Sequence, residues 1–251
     1  MKVLFLGNNH DSVSITTLEK VLADEKLKVL VGIHSQGQKG IYRTLAAGFQ
    51  RYGPVIFLSK CRHVAASLIV DRFRRLGFPV TRSTSLQSLA ETRKLEHFFV
   101  RDINSADSHT RIREFQPEVI VVATFSQILR PDIIAAPPLG CINIHPSLLP
   151  RYRGPTPEYW ILKNKEKITG VTIHYIDKGI DTGDVILQRE IAIEGGETEK
   201  SLVKKCTTLG ASMLIEALQL VREGKVERRK QNEQDATYYS FPRMQSKDRK
   251  G

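Results

Sequence analysis

The sequence predicts an α/β fold, Rossmann-like, around a mainly parallel sheet, and three observations predict it. Lys2–Leu6 and Lys28–Ile33 are continuous apolar runs of strand length, the pattern of strands buried on both faces. Between them a helical stretch starts near Ser12 or Ser14 and carries Leu18, Val21 and Leu22 on one face, which makes the opening a βαβ unit. Glu118–Ala123 reads as a third, fully buried strand, preceded by a short helix over Ser108–Phe115. Strands and helices alternating in this order favour right-handed crossovers in a parallel sheet over a barrel or sandwich.

Other elements follow in order. The basic, glycine-bearing stretch from His34 to Gly53 has weak periodicity, and His63–Leu76 reads as a helix ended by Gly77. Leu139-Gly140 is a turn into the strand Cys141–His145. Glu158–Lys163 is a brief helix, and Val171–Ile176 and Val185–Ile193 are strands. A loop holding Asp177, Gly179, Asp181, Gly183 and Asp184 joins them. From Thr198 to Glu223 a long amphipathic helix aligns Leu202, Cys206, Leu209, Met213, Leu214, Leu218 and Val221, with Gly224 as its C-terminal cap. The tail Lys247–Gly251 is polar enough for disorder.

Composition narrows the class. Three scattered cysteines, Cys61, Cys141 and Cys206, make no disulfide framework, and no CxxC pair suggests zinc or redox exchange. The opening Met1–Leu6 run lacks the long apolar region of a signal peptide, so a cytoplasmic protein is expected. The formal charge of +11 invites anionic partners. Its basic residues are spread over Arg72/Arg74/Arg75, Arg151/Arg153, Lys163/Lys165/Lys167 and Arg228/Arg229/Lys230, which favours general anion attraction over a dedicated nucleic-acid arm.

Chemistry concentrates in Asn143-Ile144-His145-Pro146-Ser147-Leu148-Leu149-Pro150 and the downstream Asp181-Thr182-Gly183. Strand alternation sets Asn143 and His145 on one face, and Pro146 ends regular pairing there. Both groups then sit at the carboxyl end of a strand, where open α/β sheets form ligand crevices. A carboxamide and an imidazole, with an aspartate to orient the latter, suit acyl transfer to an amine. Each well-placed donor aimed at the developing oxyanion contributes about 2.7–4 kcal/mol, and a neutral imidazole or aspartate-bound water accepts the amine proton. Taken singly, an asparagine is more often a turn former and a histidine a satisfied core group. A metal site would draw on His145, His174 and two loop aspartates, without HxH or HExxH spacing to support it. A dinucleotide site would want GxGxxG, which Gly7-Asn8-Asn9-His10 does not supply. Cys141, on the same face, reads as a small packing residue.

The ordered set Asn143–Pro150, Arg151-Tyr152-Arg153-Gly154, Gly170-Val171-Thr172-Ile173-His174 and Asp181-Thr182-Gly183-Asp184 resembles the formyltransferase domain that uses 10-formyltetrahydrofolate. The resemblance covers about Glu118 to Ile193, and the amino-terminal βαβ units agree with that family's Rossmann-like domain. It implies Asn143, His145 and Asp181 as the catalytic set: Asn143 and His145 at the oxyanion, Asp181 holding His145 charged and assisting proton removal from the amine. It also implies that the folate lies between Phe125-Ser126-Gln127-Ile128-Leu129 and Asp177-Lys178-Gly179-Ile180, contacted largely through backbone, with no metal required.

Departures from the family pattern bear on the acceptor. Gly7-Asn8-Asn9-His10 does not reproduce the phosphate loop of glycinamide ribonucleotide transformylases, and the hydrolases' amino-terminal regulatory domain is not expected. Gln234-Asp235-Ala236-Thr237-Tyr238 resembles the approach to the carboxyl-terminal barrel of the tRNA enzymes, but too few residues follow Gly224 in this sequence to build it. The expected organisation is a catalytic domain over residues 1–224 and a carboxyl-terminal tail over 225–251 without that barrel. The expected activity is formyl transfer to a primary amine on a small anionic substrate, such as a nucleotide-linked amino sugar. Methionyl-tRNA is the second choice, with Lys39–Arg51 in the place of that family's basic insertion loop. A non-catalytic folate- or nucleic-acid-binding protein is the alternative of another class.

Overall fold

A computed structural model describes residues 1–34 and 84–242. Seven strands form one sheet in the order β3-β2-β1-β4-β5-β6-β7. The first five run parallel: β1 (Lys2–Asn8), β2 (Lys28–His34), β3 (His97–Val100), β4 (Val119–Ala123) and β5 (Cys141–His145). β6 (Ile168–Tyr175) runs antiparallel to β5 and to its other neighbour β7 (Val185–Ala192). The expected α/β class and mainly parallel sheet are therefore observed. The expected helix over His63–Leu76 and the Lys39–Arg51 segment lie outside the described residues.

Strand alternation divides the core. Val3, Phe5, Val29, Val31, Val119 and Val121 face one side, where α1 (Ser12–Val21), α2 (Leu86–Thr92) and α6 (Glu199–Arg222) cover them. Leu4, Leu6, Leu30, Ile120, Val122 and Cys141 face the other, against Ile112 and Phe115 of α3 (Ala106–Phe115) and Ile133 of α4 (Pro131–Ile134). Full burial of one such side chain contributes about 1.5–3 kcal/mol. The helix starts are capped: Asp11 accepts from Ser14 N–H, and Thr198 and Ser201 form a reciprocal box at α6. Gly210 lets α6 approach closely, since a Cβ there would lie 2.8 Å from Ile144 Cγ2. Among the described residues no helix is long and apolar enough to cross a membrane.

Three elements escape the sequence pattern, one of them α4, a single turn of four residues. The helix α2 is only seven residues and starts in a serine-rich stretch, with Ser85 and Ser88 bonding each other's backbone as a cap. The edge strand β3 has four residues, and only Val100 is buried among them, so neither period has room to show. Helices α3 and α5 (Pro157–Lys163) begin slightly earlier than expected, as does β6.

Helices α3 and α4 cover the second face only as far as Cys141. Beyond it, Asn143 and His145 of β5 project to the same side as Thr172 and His174 of β6. The antiparallel register places Asn143 opposite His174 and His145 opposite Thr172. A register shift in the β6–β7 pairing falls at Ile173/His174, where a bulge re-aims the strand.

Burial also settles the thiols. Cys141 and Cys206 are 1% and 3% exposed, and burial pushes both up to about 12. At neutral pH both stay in the unreactive thiol form. Iodoacetamide is therefore expected to leave both unmodified in the native protein and to alkylate both in denaturant, as read by peptide mass spectrometry. Native labelling of either would contradict this packing.

Candidate active site

The site lies on the second face of the sheet, over β5 and β6, beyond the part that α3 and α4 cover. His145, 4% exposed, ends β5, and its Nε2 is 2.8 Å from the Tyr152 carbonyl oxygen. A carbonyl only accepts, so Nε2 carries the proton. The other nitrogen, Nδ1, stands 3.6 Å from Asp181 Oδ2. In a neutral ring its lone pair would face the carboxylate; a proton at Nδ1 turns that contact into an ion pair.

His174 repeats this logic with the opposite outcome. It is 1% exposed, and its Nδ1–H donates to Tyr175 O at 2.8 Å. Its Nε2 lies 3.2 Å from Asn143 Nδ2 and 3.7 Å from Asp181 Oδ1. Burial, seconded by the positive charge that His145 can carry, pulls its pKa down to about 4; Asp181 opposes but does not cancel this. His174 is thus neutral at physiological pH. The two rings meet edge to face, 6.2 Å apart at 83°.

Asp181 reaches this pair from the β6–β7 loop with a left-handed backbone, φ +55°. Gly154 N–H donates to its Oδ2 at 2.8 Å. Gln231 Nε2 donates to the backbone carbonyls of both Asp181 and Gly183, at 2.9 and 2.8 Å. The Oε1 of Gln231 in turn accepts from Arg153 Nε and Nη2. Arg153 is buried, 6% exposed, and its guanidinium also forks onto the Glu233 carboxylate at 2.7 and 2.9 Å. The Thr172 hydroxyl accepts from Leu149 N–H and donates to Ser147 O, fastening the loop after β5 to β6.

The segment following α6 is therefore a strap over the site. Arg153 N–H donates to Thr237 O, Tyr239 N–H donates to Arg153 O, and Tyr152 N–H donates to the Thr237 hydroxyl. Tyr239 stacks between Tyr152 and Trp160 at 5.1 and 5.0 Å, and Trp160 Nε1–H donates to Ser240 O. Gly154 sits beneath it at φ +96°, where a Cβ would come within 2.3 Å of Tyr239 O.

The formyl transferase domain model matches residues 81–218, more than half of the chain. This chain belongs to the formyl transferase family. Among curated relatives, the methionyl-tRNA formyltransferase of Caldanaerobacter subterraneus subsp. tengcongensis is 46% identical over 135 residues, covering 54% of this chain and 44% of that protein. The chain spans about half the length of the curated relatives it matches. Among solved structures, the N-formyltransferase from Helicobacter canadensis in complex with folinic acid and dTDP-3-aminofucose superposes with TM-score 0.63. It is 19% identical, covering 96% of this chain and 71% of that one. The phosphoribosylglycinamide formyltransferase from Anaplasma phagocytophilum matches with TM-score 0.63 and 18% identity, covering 96% of this chain and 98% of that one.

Of the residues that the sequence singles out in this member of the formyl transferase family, Asn143, His145 and Asp181 come together in one cluster with His174. The two expected folate-contacting segments have unequal side-chain roles. Leu129 is core, packed in the second cluster, and Gln127 is committed to the loop after β3: Ile103 N–H donates to its Oε1 and its Nε2 donates to Arg101 O. Phe125 lies edge-on to His34 at 5.7 Å, while Ser126 is exposed. Asp177 closes its own turn by accepting from Gly179 N–H and the Thr182 hydroxyl, and Lys178 and Gly179 are exposed. Ile128 and Ile180 stay 76% and 48% exposed, one apolar side chain on each segment.

In the sequence His174 stands out only as a possible metal ligand and as the end of the Gly170–His174 motif, Arg153 only as charge and as a motif residue, and Gln231 not at all. The β6 alternation was a usable signal for His174, since it shares a face with Thr172. Nothing local marks Gln231, whose contacts lie about fifty residues away.

Proposed function

We propose that this formyl transferase moves the formyl group of 10-formyltetrahydrofolate to a primary amine on an anionic acceptor, with a nucleotide-linked amino sugar as the first candidate. The observation that carries the reading is the cluster of Asn143, His145 and Asp181 at a strand end with hydrogen-bond capacity left over. Asn143 has a second amide N–H beyond the one directed at His174. The amine lone pair attacks the formyl carbon and the carbonyl electron pair moves onto oxygen. Asn143 and a protonated His145 stabilise that oxyanion. Collapse breaks the bond from carbon to N10, which takes up a proton while the attacking nitrogen gives one up through Asp181 or a water it holds. Phe125–Leu129 and Asp177–Ile180 are the segments assigned to the donor. Ile128 and Ile180 offer apolar surface for the pterin, and backbone groups offer its polar contacts.

The connection after β1 supports an acceptor other than a phosphate seated at α1. Asp11 already occupies that helix start, accepting from Ser14 N–H and the Thr124 hydroxyl, and a carboxylate there repels an anion. The net charge of +11 still attracts a polyanion elsewhere on the surface. A second reading, formylation of methionyl-tRNA, is favoured by the 46% identity to a methionyl-tRNA formyltransferase.

Incubation with 10-formyltetrahydrofolate and a panel of nucleotide-linked amino sugars, with and without charged methionyl-tRNA, separates the two by tetrahydrofolate release. Release that depends on an amino sugar supports the first reading, and release with tRNA alone reverses the ranking. No acceptor-dependent release would sink the transferase reading.

A further inference from the structure

Resting on that reading of the site, we propose that His174 is a positioning residue: as a neutral acceptor at Nε2 it holds the Asn143 carboxamide with nitrogen inward, leaving the second Asn143 N–H for the oxyanion. The register that sets Asn143 opposite His174 brings the groups to 3.2 Å. The Tyr175 carbonyl takes the only proton a neutral His174 carries, so Nε2 is obliged to accept. An asparagine presents either end of its amide at nearly equal steric cost, and only the acceptor beside it decides which. Were His174 protonated, Nε2 would donate to Asp181 Oδ1 at 3.7 Å or to a flipped Asn143 oxygen, and the carboxylate would be shared away from His145. The charged and titratable groups facing the ring are His145 on β5 and Asp181 and Asp177 on the β6–β7 loop. One carboxylate thus stands between two imidazoles, of which His174 stays neutral.

The test compares two substitutions. His174→Gln places an amide oxygen where Nε2 stood and retains the acceptor; His174→Leu removes it. Both lose the bond to Tyr175 O, so the difference between them isolates Nε2. The leucine variant is expected to lose about 10²-fold in kcat with donor KM within about threefold, and glutamine to recover most of the loss. Equal loss in both variants, or a leucine variant within threefold of the parent, overturns the proposal.

Nitrogen chemical shifts of the unaltered protein supply a readout that needs no substrate and no variant. The neutral Nδ1–H tautomer of His174 is expected from pH 7 down to about 5, with the Asn143 amide protons in slow exchange. An imidazolium or an Nε2–H tautomer at pH 7 overturns the proposal. Because this measurement is independent of turnover, it decides whether His174 Nε2 is the acceptor that holds Asn143 even where no acceptor is formylated and the transferase reading fails.

Discussion

Asp181→Asn is expected to slow turnover by about 10²–10⁴-fold while donor binding stays within about threefold of the parent. The substitution keeps shape and an oxygen able to accept from Gly154 N–H, but it removes the charge that stands 3.6 Å from His145 Nδ1. Without that charge a proton on His145 loses its partner, the oxyanion loses a cationic donor, and the amine nitrogen, cationic once it has attacked, loses its proton acceptor. These effects act in the transition state, so kcat falls and ground-state affinity does not. His145→Asn is expected to fall by a similar factor, and the double variant by little more than either alone, since both act through one pair. Calorimetry of donor binding beside steady-state kinetics checks this. A loss of affinity as large as the loss of kcat, or a kcat drop under tenfold, would falsify the assignment.

Gly154→Ala is expected to damage stability and turnover together. At φ +96° an L side chain is strained, at a cost of about 1–3 kcal/mol, and its Cβ would stand 2.3 Å from the backbone oxygen of Tyr239. The Tyr238 ring, 2.9 Å away, can turn aside, but the Tyr239 oxygen is backbone, so the strap must lift. Lifting it opens the Tyr152–Tyr239–Trp160 stack, moves the Gly154 N–H from Asp181 and separates Arg153 from Gln231 and Glu233. Trp160 is the sole tryptophan of the chain, and its indole touches both Tyr239 and Ser240 O, so its emission reports directly on the strap. The expectation is a red-shifted spectrum, a lower denaturation midpoint and turnover down by at least tenfold. Unchanged emission with full activity would show that the strap does not need this glycine.

Much of this was legible in the chain itself, for identifiable reasons. Strands buried on both faces leave unbroken apolar runs, which is why Lys2–Leu6 and Glu118–Ala123 stand out, and a long one-faced helix repeats its stripe often enough to be read over Thr198–Glu223. Asn143 and His145 were readable because alternation and Pro146 fix their face and end their strand. Short elements such as β3 and α2 carry too few residues for a period. His174 and Gln231 depend on pairing partners that only the fold supplies: a strand that reverses direction in one case, a strap returning from beyond α6 in the other. The linear pattern near His174 is that of an ordinary buried strand. The boundary expected at 224 follows the helix end, whereas the contacts of Gln231, Thr237 and Tyr239 support a catalytic unit that runs on through the strap.

The uncovered end of the second sheet face has a consequence for how such a protein can diverge. Most apolar burial sits where helices close both faces. Three connections, residues 146–156, 176–184 and the strap, meet over the second face of β5 and β6, around Asn143 and His145. Substitutions in these connections can change which amine is admitted with little effect on the packed interior. The three are hydrogen-bonded to one another, so a new acceptor preference is expected to arise from concerted replacements across all of them rather than from one residue.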